Sequence, residues 1–251
     1  MKFSIVTAVK NGAATLEATL ASVFAQTWPG REIIVQDGGS TDGTLDILKA
    51  WPDVNWRSEP DTGVYDAWNK ALQRVTGDWV LFLGADDCLL HKNVLIQCRR
   101  HLRLLPETVI FAYGALLFNK LEDEEHHMLF NRSVQNVYHC FLLNMGFPFP
   151  ATFVRASLFR EQTFDASYAI AGDYAFTALH VTRFNVARLP VMVSFMQRGG
   201  LSDSTKHADK LLEERLRVLR TCVAPRAGEF VNAVADHFMD EDLSLEDIPK
   251  D

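Results

Sequence analysis

The feature that most constrains this chain is the alternation, over its first 115 residues, of short β-rich apolar segments with helical ones. A mostly parallel sheet covered by helices satisfies that pattern, and an all-helical or all-strand fold does not. Phe3 to Val9 reads as the first strand. Leu16, Leu20 and Val23/Phe24 then recur at helical spacing within Ala14 to Gln26, before Pro29-Gly30 breaks the helix. Arg31 to Gln36 is the second strand, Asp37-Gly-Gly-Ser-Thr-Asp42 a turn, and Gly43 to Ala50 a helix that Asp42 can cap. Val54 to Ser58, a loop at Glu59 to Gly63, a helix at Val64 to Val75 and a strand at Trp79 to Leu83 complete four strands and three crossovers. Right-handed crossovers bring the loops after these strands to one sheet edge, where open α/β folds bind ligands.

The second half is less regular. A helix is expected at His91 to Leu104, strands near Val109 to Phe118 and Met128 to Phe130, a proline-bracketed segment at Gly146 to Pro150 and a helix from Asp173. Two more helical segments, Lys206 to Cys222 and Gly228 to Met239, finish the chain before its acidic end. No repeat and no low-complexity linker divides it, so one continuous domain with a C-terminal elaboration is expected.

Charge and cysteine usage narrow the classes further. The formal charge is −7, but Asp240 to Asp251 hold six acids and one lysine, leaving −2 over the other 239 residues. That balance argues against a nucleic-acid binder, which needs a basic stripe. Cysteines 88, 98, 140 and 222 form no Cys-x-x-Cys pair, which fits thiols in a reducing compartment. Cys88 lies beside two carboxylates that would suppress its thiolate, which disfavours it as a nucleophile. No apolar run approaches the roughly 18 residues of a membrane span, and Phe3 to Val9 is too short for a secretory core. The expected location is the cytoplasm.

Two constellations carry chemistry. Asp86-Asp87 follow the apolar strand Trp79 to Leu83, and a turn at Gly84 frees both carboxylates to enter the cleft, where hard oxygen ligands suit Mg²⁺ or Mn²⁺ holding a diphosphate. The alternative is that one caps the next helix and the other is exposed. Asp37 ends the second strand ahead of two glycines, so its carboxylate can accept a pyrimidine N–H while the backbone approaches base and ribose; a plain turn is the alternative. No Gly-x-Gly-x-x-Gly follows the first strand and no P-loop motif occurs, which sets aside dinucleotide oxidoreductases and P-loop ATPases.

Together, Ser4-Ile-Val-Thr-Ala-Val-Lys-Asn11, Ile33-Ile-Val-Gln-Asp-Gly-Gly-Ser-Thr-Asp-Gly-Thr44, Ser58-Glu-Pro-Asp-Thr-Gly-Val-Tyr-Asp-Ala-Trp-Asn-Lys70 and Gly77-Asp-Trp-Val-Leu-Phe-Leu-Gly-Ala-Asp-Asp87 resemble the family 2 glycosyltransferases of the GT-A fold. The likeness is strong over roughly the first 90 residues and resumes at Pro150-Ala-Thr-Phe-Val-Arg155 and Ala171-Gly-Asp-Tyr174. It implies a Rossmann-like α/β domain over 1–204, with a nucleotide-sugar half at 1–115 and an acceptor half at 116–204, then C-terminal helices at 205–239 and an acidic tail at 240–251. It further implies inverting transfer from a nucleotide-diphosphate sugar, with a UDP-sugar as the expected donor and Mg²⁺ or Mn²⁺ as cofactor, to a saccharide or lipid-linked hydroxyl.

Carried over residue by residue, the resemblance puts Thr7 and Asn11 along the nucleotide, Asp37 on the base and Asp61 at the border of the same pocket. Asp86 becomes the metal and diphosphate ligand. The family's strand-four motif usually opens with an acid where this chain has Gly84, so that contact is either missing or supplied by Asp87. Tyr65, Asp66 and Asn69 become a cleft wall, with surface capping as the alternative. Asp173 becomes the base that takes the acceptor proton, its alternative being a helix N-cap. Arg198, in Arg198-Gly199-Gly200, would offer charge to the diphosphate. His126-His127, within an acidic stretch, read as an exposed turn or acceptor-facing loop. The segment Lys206 to Cys222 reads as packed on the core, its acids Asp209, Glu213 and Glu214 diluting a charge that could otherwise meet an anionic membrane. Two other functions are carried alongside: a sugar-phosphate nucleotidyltransferase, although its Gly-rich basic phosphate loop is absent, and a nucleotide-sugar-binding protein that has lost catalysis, suggested by Gly84.

Overall fold

The computed structural model describes residues 1–120, 123–134, 140, 146–197 and 205–232. Its first four strands, β1 (Phe3–Val9), β2 (Arg31–Asp37), β3 (Asn55–Ser58) and β4 (Trp79–Phe82), form a parallel ladder in the order β3-β2-β1-β4. β1 and β4 are buried along almost their whole length, because helices cover both sheet faces; hence their continuous apolar runs. Side chains alternate between the two covers. Phe3, Ile5 and Val9 face a core shared with α1 (Leu16–Phe24), α2 (Thr44–Ala50) and later α4 (Val94–Leu102), whereas Val6, Ile34, Val80 and Phe82 face a second core built with α3 (Val64–Leu72).

The helices are shorter than their periodicity suggests. α1 starts at Leu16 because the Gly12 carbonyl accepts the Thr15 and Leu16 N–H groups in a turn that uses up the preceding residues. At α2, Gly43 holds the cap position and Asp42 acts from one residue outside, accepting the Thr44 N–H at 2.9 Å and the Ala13 N–H at 3.1 Å. It therefore joins the first two loops as well as supporting its helix.

The second half extends the same sheet. β4 pairs antiparallel with β8 (Thr152–Arg155), β8 with β6 (Val109–Lys120), and β6 runs parallel to β9 (Asn185–Met196), with the two-residue β5 (Cys88–Leu89) at the far edge. β7 (Asp123–Phe130) pairs antiparallel with β6, so His126-His127 belong to a strand rather than to the exposed turn expected of them. β9 escapes a sequence reading because Pro190 interrupts its alternation of Val186, Leu189, Val191 and Val193; prolines are rare inside a ladder. The register accommodates it: Tyr113 pairs with Arg188 and Ala115 with Met192, so the strand bulges around the proline.

α5 (Gly172–His180) and α6 (Ala208–Val218) cover the same face as α3, and Val218, Cys222, Val223 and Phe230 of the C-terminal segment are buried in that core. The long helix expected from Lys206 to Cys222 is broken: α6 ends at Val218 and passes into a π-turn at Leu219–Val223. Among the described residues no helix is long and apolar enough to cross a membrane. The second half of the segment expected at Gly228 to Met239, the acidic tail and Arg198 lie outside the described residues.

Candidate active site

A cleft of about 590 Å³ opens where the loops after β1 and β4 meet the start of α3 and the segment leading into α5. Its most constrained corner is the turn after β4. Thr7 Oγ1 donates to the Leu83 carbonyl at 2.9 Å, tying the end of β4 to β1, and Gly84 follows. Asp87 folds back so that Oδ2 accepts the Gly84 N–H at 3.1 Å, while its buried Oδ1 has no hydrogen-bond partner among the described residues. A Cβ built on Gly84 would lie 2.7 Å from Asp87 Oδ2 and 2.8 Å from Asp86 Oδ1. Two carboxylates of adjacent residues thus converge over one bare α-carbon, in space any side chain at position 84 would have to claim.

Burial of this turn is costly to its charges, and the acids show it. Burial raises the pKa of Asp86, and burial followed by the neighbouring Asp86 charge pushes Asp87 up to about 7. Cys88 is raised as well, chiefly by burial and then by Asp87, in accord with its exclusion as a nucleophile. A buried carboxylate oxygen without a hydrogen-bond partner beside a second carboxylate, neither of them in an ion pair among the described residues, is a donor set suited to a hard divalent ion. No cluster of three such ligands occurs among the described residues.

The turn after β2 is built differently from the expectation. Asp37 is fully buried and accepts the N–H groups of Gly39 and Ser40 at 3.1 and 3.0 Å, the Ser40 hydroxyl, and the Ser58 hydroxyl at 2.6 Å. Its carboxylate is the hub that joins β2, its turn and β3, and it does not line the cleft. Asn11 reaches the same turn. It sits at a φ of 56°, tolerable for Asn, donates its N–H to Ser40 Oγ at 2.7 Å and accepts the Thr41 N–H on Oδ1 at 2.8 Å. Asp61 packs directly against Gly38 and accepts the Gly63 N–H at 3.1 Å.

On α3, the expected cleft wall resolves into three separate jobs. Asp66 accepts the Thr62 N–H at 3.0 Å and pairs with Lys70, holding the helix start. Asn69 bonds both backbone groups of Phe164, donating at 2.8 Å and accepting at 2.9 Å, so its amide is committed to a loop and turned away from the cleft. Tyr65 alone reaches the opposing acid: its hydroxyl lies 2.5 Å from the Ile170 carbonyl and 3.1 Å from Asp173 Oδ1. Gly172 makes that approach possible, since a Cβ there would come within 2.7 Å of the Tyr65 ring.

Asp173 lines the cleft from the first turn of α5. Ala171, not Asp173, holds the cap position, so the N-cap alternative fails. The carboxylate accepts the Tyr174 N–H at 2.8 Å, and burial, only partly offset by these hydrogen bonds, raises its pKa to about 6. A half-buried carboxylate poised near neutrality can exchange a proton with a bound hydroxyl.

Of the expected site residues, the cleft therefore collects Asn11, Asp86, Asp87 and Asp173; Asp37 and Asp61 stand behind the neighbouring turn, and Thr7 and Asn69 are structural ties. Lys10, Trp68 and Phe149 also line it. Lys10 stands next to Asn11 in the sequence, whereas Trp68 carries no local signal of a site and meets the cleft packed on Phe82 and Phe149. Glu214 was read as a surface charge of the last long helix; it is 2% exposed and accepts the N–H groups of Ala169, Ile170 and Ala171.

The profile described as glycosyl transferase family 2 matches residues 4–145. Over 100 residues the chain is 45% identical to a "PGL/p-HBAD biosynthesis glycosyltransferase" of Mycobacterium tuberculosis and Mycobacterium bovis, covering 38% of this chain and 39% of the relative. Over 89 residues it is 39% identical to the "Putative teichuronic acid biosynthesis glycosyltransferase TuaG" of Bacillus subtilis, covering 34% and 35%. The matched stretch thus spans about two fifths of these relatives' own length. Among solved structures, TarS 1–349 of S. aureus in complex with UDP superposes with a TM-score of 0.66 at 18% identity, covering 95% of this chain and 72% of that one. Glucosyl-3-phosphoglycerate synthase of Mycobacterium tuberculosis, with Mn²⁺, UDP and glucosyl-3-phosphoglycerate, does so with a TM-score of 0.63 at 17% identity, covering 89% and 81%. The shared fold is the GT-A arrangement.

Proposed function

Because the chain belongs to glycosyl transferase family 2, we propose that it transfers a glycosyl group, with inversion, from a nucleotide-diphosphate sugar to a hydroxyl of a saccharide or lipid-linked acceptor. The observation that carries this reading is that one cleft holds two acid groups of opposite use: the converging pair Asp86 and Asp87, and, from α5, the single carboxylate Asp173. A UDP-sugar is the proposed donor.

Asp86 and Asp87 would hold Mg²⁺ or Mn²⁺, with Asp87 contributing from above Gly84 the oxygen that the missing acid would otherwise supply. When bound, the ion stabilises the charge of the departing diphosphate as a Lewis acid. Lys10, on the same cleft, adds a cation to the diphosphate side. Asp173 accepts the acceptor's hydroxyl proton as its oxygen forms the new bond to the anomeric carbon, and the bond from that carbon to the diphosphate oxygen breaks with its electron pair leaving on the diphosphate. Protonated Asp173 can then donate to the Tyr65 oxygen, while the Tyr65 hydroxyl keeps its bond to the Ile170 carbonyl. Trp68 and Phe149 offer an apolar wall for a sugar ring face.

Gly84 suggested the alternative of a protein that has lost catalysis; the Asp87 carboxylate above it supports the enzyme reading instead. The family match leaves no basis for the nucleotidyltransferase alternative. Four free cysteines fit action in the cytoplasm, at the membrane face when the acceptor is lipid-linked. Thermal stabilisation by UDP, GDP, dTDP and CMP compounds with and without Mn²⁺, followed by donor turnover, tests the assignment. Stabilisation by none of them would refute it.

A further inference from the structure

The segment that delivers Asp173 to the cleft is held from behind by the C-terminal helix α6. Glu214 Oε1 accepts the Ala169 N–H at 2.8 Å, and Oε2 accepts the Ile170 and Ala171 N–H groups at 2.8 and 2.9 Å. Three successive amides converging on one carboxylate form an anion nest, and this one sits at the positive end of α5. Lys210 Nζ is 3.8 Å from Oε1, one turn away on α6.

What Glu214 grips is backbone, so what it defines is a path. Ala169 and Ile170 line the cleft, the Ile170 carbonyl receives the Tyr65 hydroxyl, Ala171 caps α5, and Asp173 follows two residues later. The Tyr65 hydroxyl in turn contacts Asp173 Oδ1. A shift of this segment would move both the helix start that carries the carboxylate and the tyrosine carbonyl partner that orients it.

We propose that Glu214 is a positioning residue for glycosyl transfer: by binding the amides of residues 169–171 it sets the orientation of the Asp173 carboxylate, making α6 part of the reaction apparatus although it touches no substrate. The inference rests on Asp173 being the base.

Glu214→Gln leaves one acceptor oxygen and turns an NH₂ donor toward N–H groups; Glu214→Asp keeps the charge but retracts it by one methylene, and serves if the glutamine variant does not fold. Turnover is read as nucleoside diphosphate release with Mn²⁺ from whichever of UDP-glucose, UDP-N-acetylglucosamine, GDP-mannose and dTDP-glucose most stabilises the parent protein. In each variant kcat should fall roughly tenfold with donor KM within about twofold, and ¹³C NMR should show the Asp173 titration displaced from its parental midpoint. A purely structural glutamate would lower Tm without displacing that titration or splitting kcat from KM. Folded variants with parental kcat and parental Asp173 titration would overturn the proposal. Asp173→Asn, run in parallel, separates the two claims: parental turnover there sinks the base assignment and this inference with it, whereas a loss there with none in either Glu214 variant sinks this inference alone.

Discussion

Asp173→Asn separates chemistry from stability because the structure assigns them opposite signs. In the folded protein burial pushes the carboxyl up to about 6, above its ordinary value of 3.8, while the Tyr174 N–H, Tyr65 on α3 and Arg215 on α6 oppose the rise. A raised carboxyl pKa means the native state binds more protons than the unfolded chain between those values, so this group's contribution to stability falls as pH rises through that window. At about 1.4 kcal/mol per unit, a shift of about 2 units is a destabilisation of up to ~3 kcal/mol at pH 7.5. Asparagine removes that burden while its carbonyl oxygen can still accept from Tyr174 and Tyr65. The variant should therefore be unchanged or more stable by up to ~3 kcal/mol at pH 7.5, with the difference disappearing near pH 4. Transfer should fall by roughly 10²-fold or more, with donor affinity near parental, because asparagine cannot take the proton. In the parent, log kcat/KM should drop toward unit slope below about pH 6. Denaturant melts at both pH values and donor turnover across pH are the assays. Transfer above about a tenth of the parental rate in a folded, donor-binding variant would refute the base, and a variant less stable at pH 7.5 than at pH 4 relative to the parent would refute the burial argument.

Three further outcomes follow from the geometry. Asp86→Ala should abolish the Mn²⁺ enhancement of UDP binding by calorimetry while leaving the fold intact, since it removes a half-buried charge rather than packing; a parental enhancement would place the ion elsewhere. Gly84→Ala puts a methyl 2.7–2.8 Å from both carboxylates, so it should cut that enhancement roughly tenfold with little change in unfolding free energy; an unchanged enhancement would show the convergence over Gly84 to be irrelevant. Asp37→Ala strands the donors of Gly39, Ser40 and Ser58 in a buried turn, so it should cost about 3 kcal/mol and lower Tm by roughly 6–12 °C; a parental Tm with weakened UDP binding would restore the base-contact role.

The βα alternation of residues 1–90 was readable from sequence because each element there satisfies its own local rule: β-branched runs buried on both faces, helical spacing, and Gly or Pro at the breaks. The meeting of the loops after β1 and β4 followed from crossover handedness alone. Local rules also pointed to Asp86 and Asp87, acids at a strand end, whereas Asp173 was singled out by the family resemblance at Ala171-Gly-Asp-Tyr174. Local rules do not reach a partner that lies far along the chain. Sequence cannot show that Ser58 donates to Asp37 from β3, or that Asn69 binds Phe164, 95 residues away. β9 was hidden because Pro190 breaks a pattern that the bulge opposite β6 makes tolerable. Glu214, one acid among several on a charged helix, differs from Glu213 only in the direction it faces, and that direction is set by Val218 and Cys222 packing into the core. Sequence alone determined which chemistry could be present at this sheet edge, because residue type and local backbone period are written in neighbouring residues. Only the tertiary structure decided which polar groups are consumed by the fold and which are left facing the cleft, because that depends on donors and acceptors brought together by packing over tens of residues.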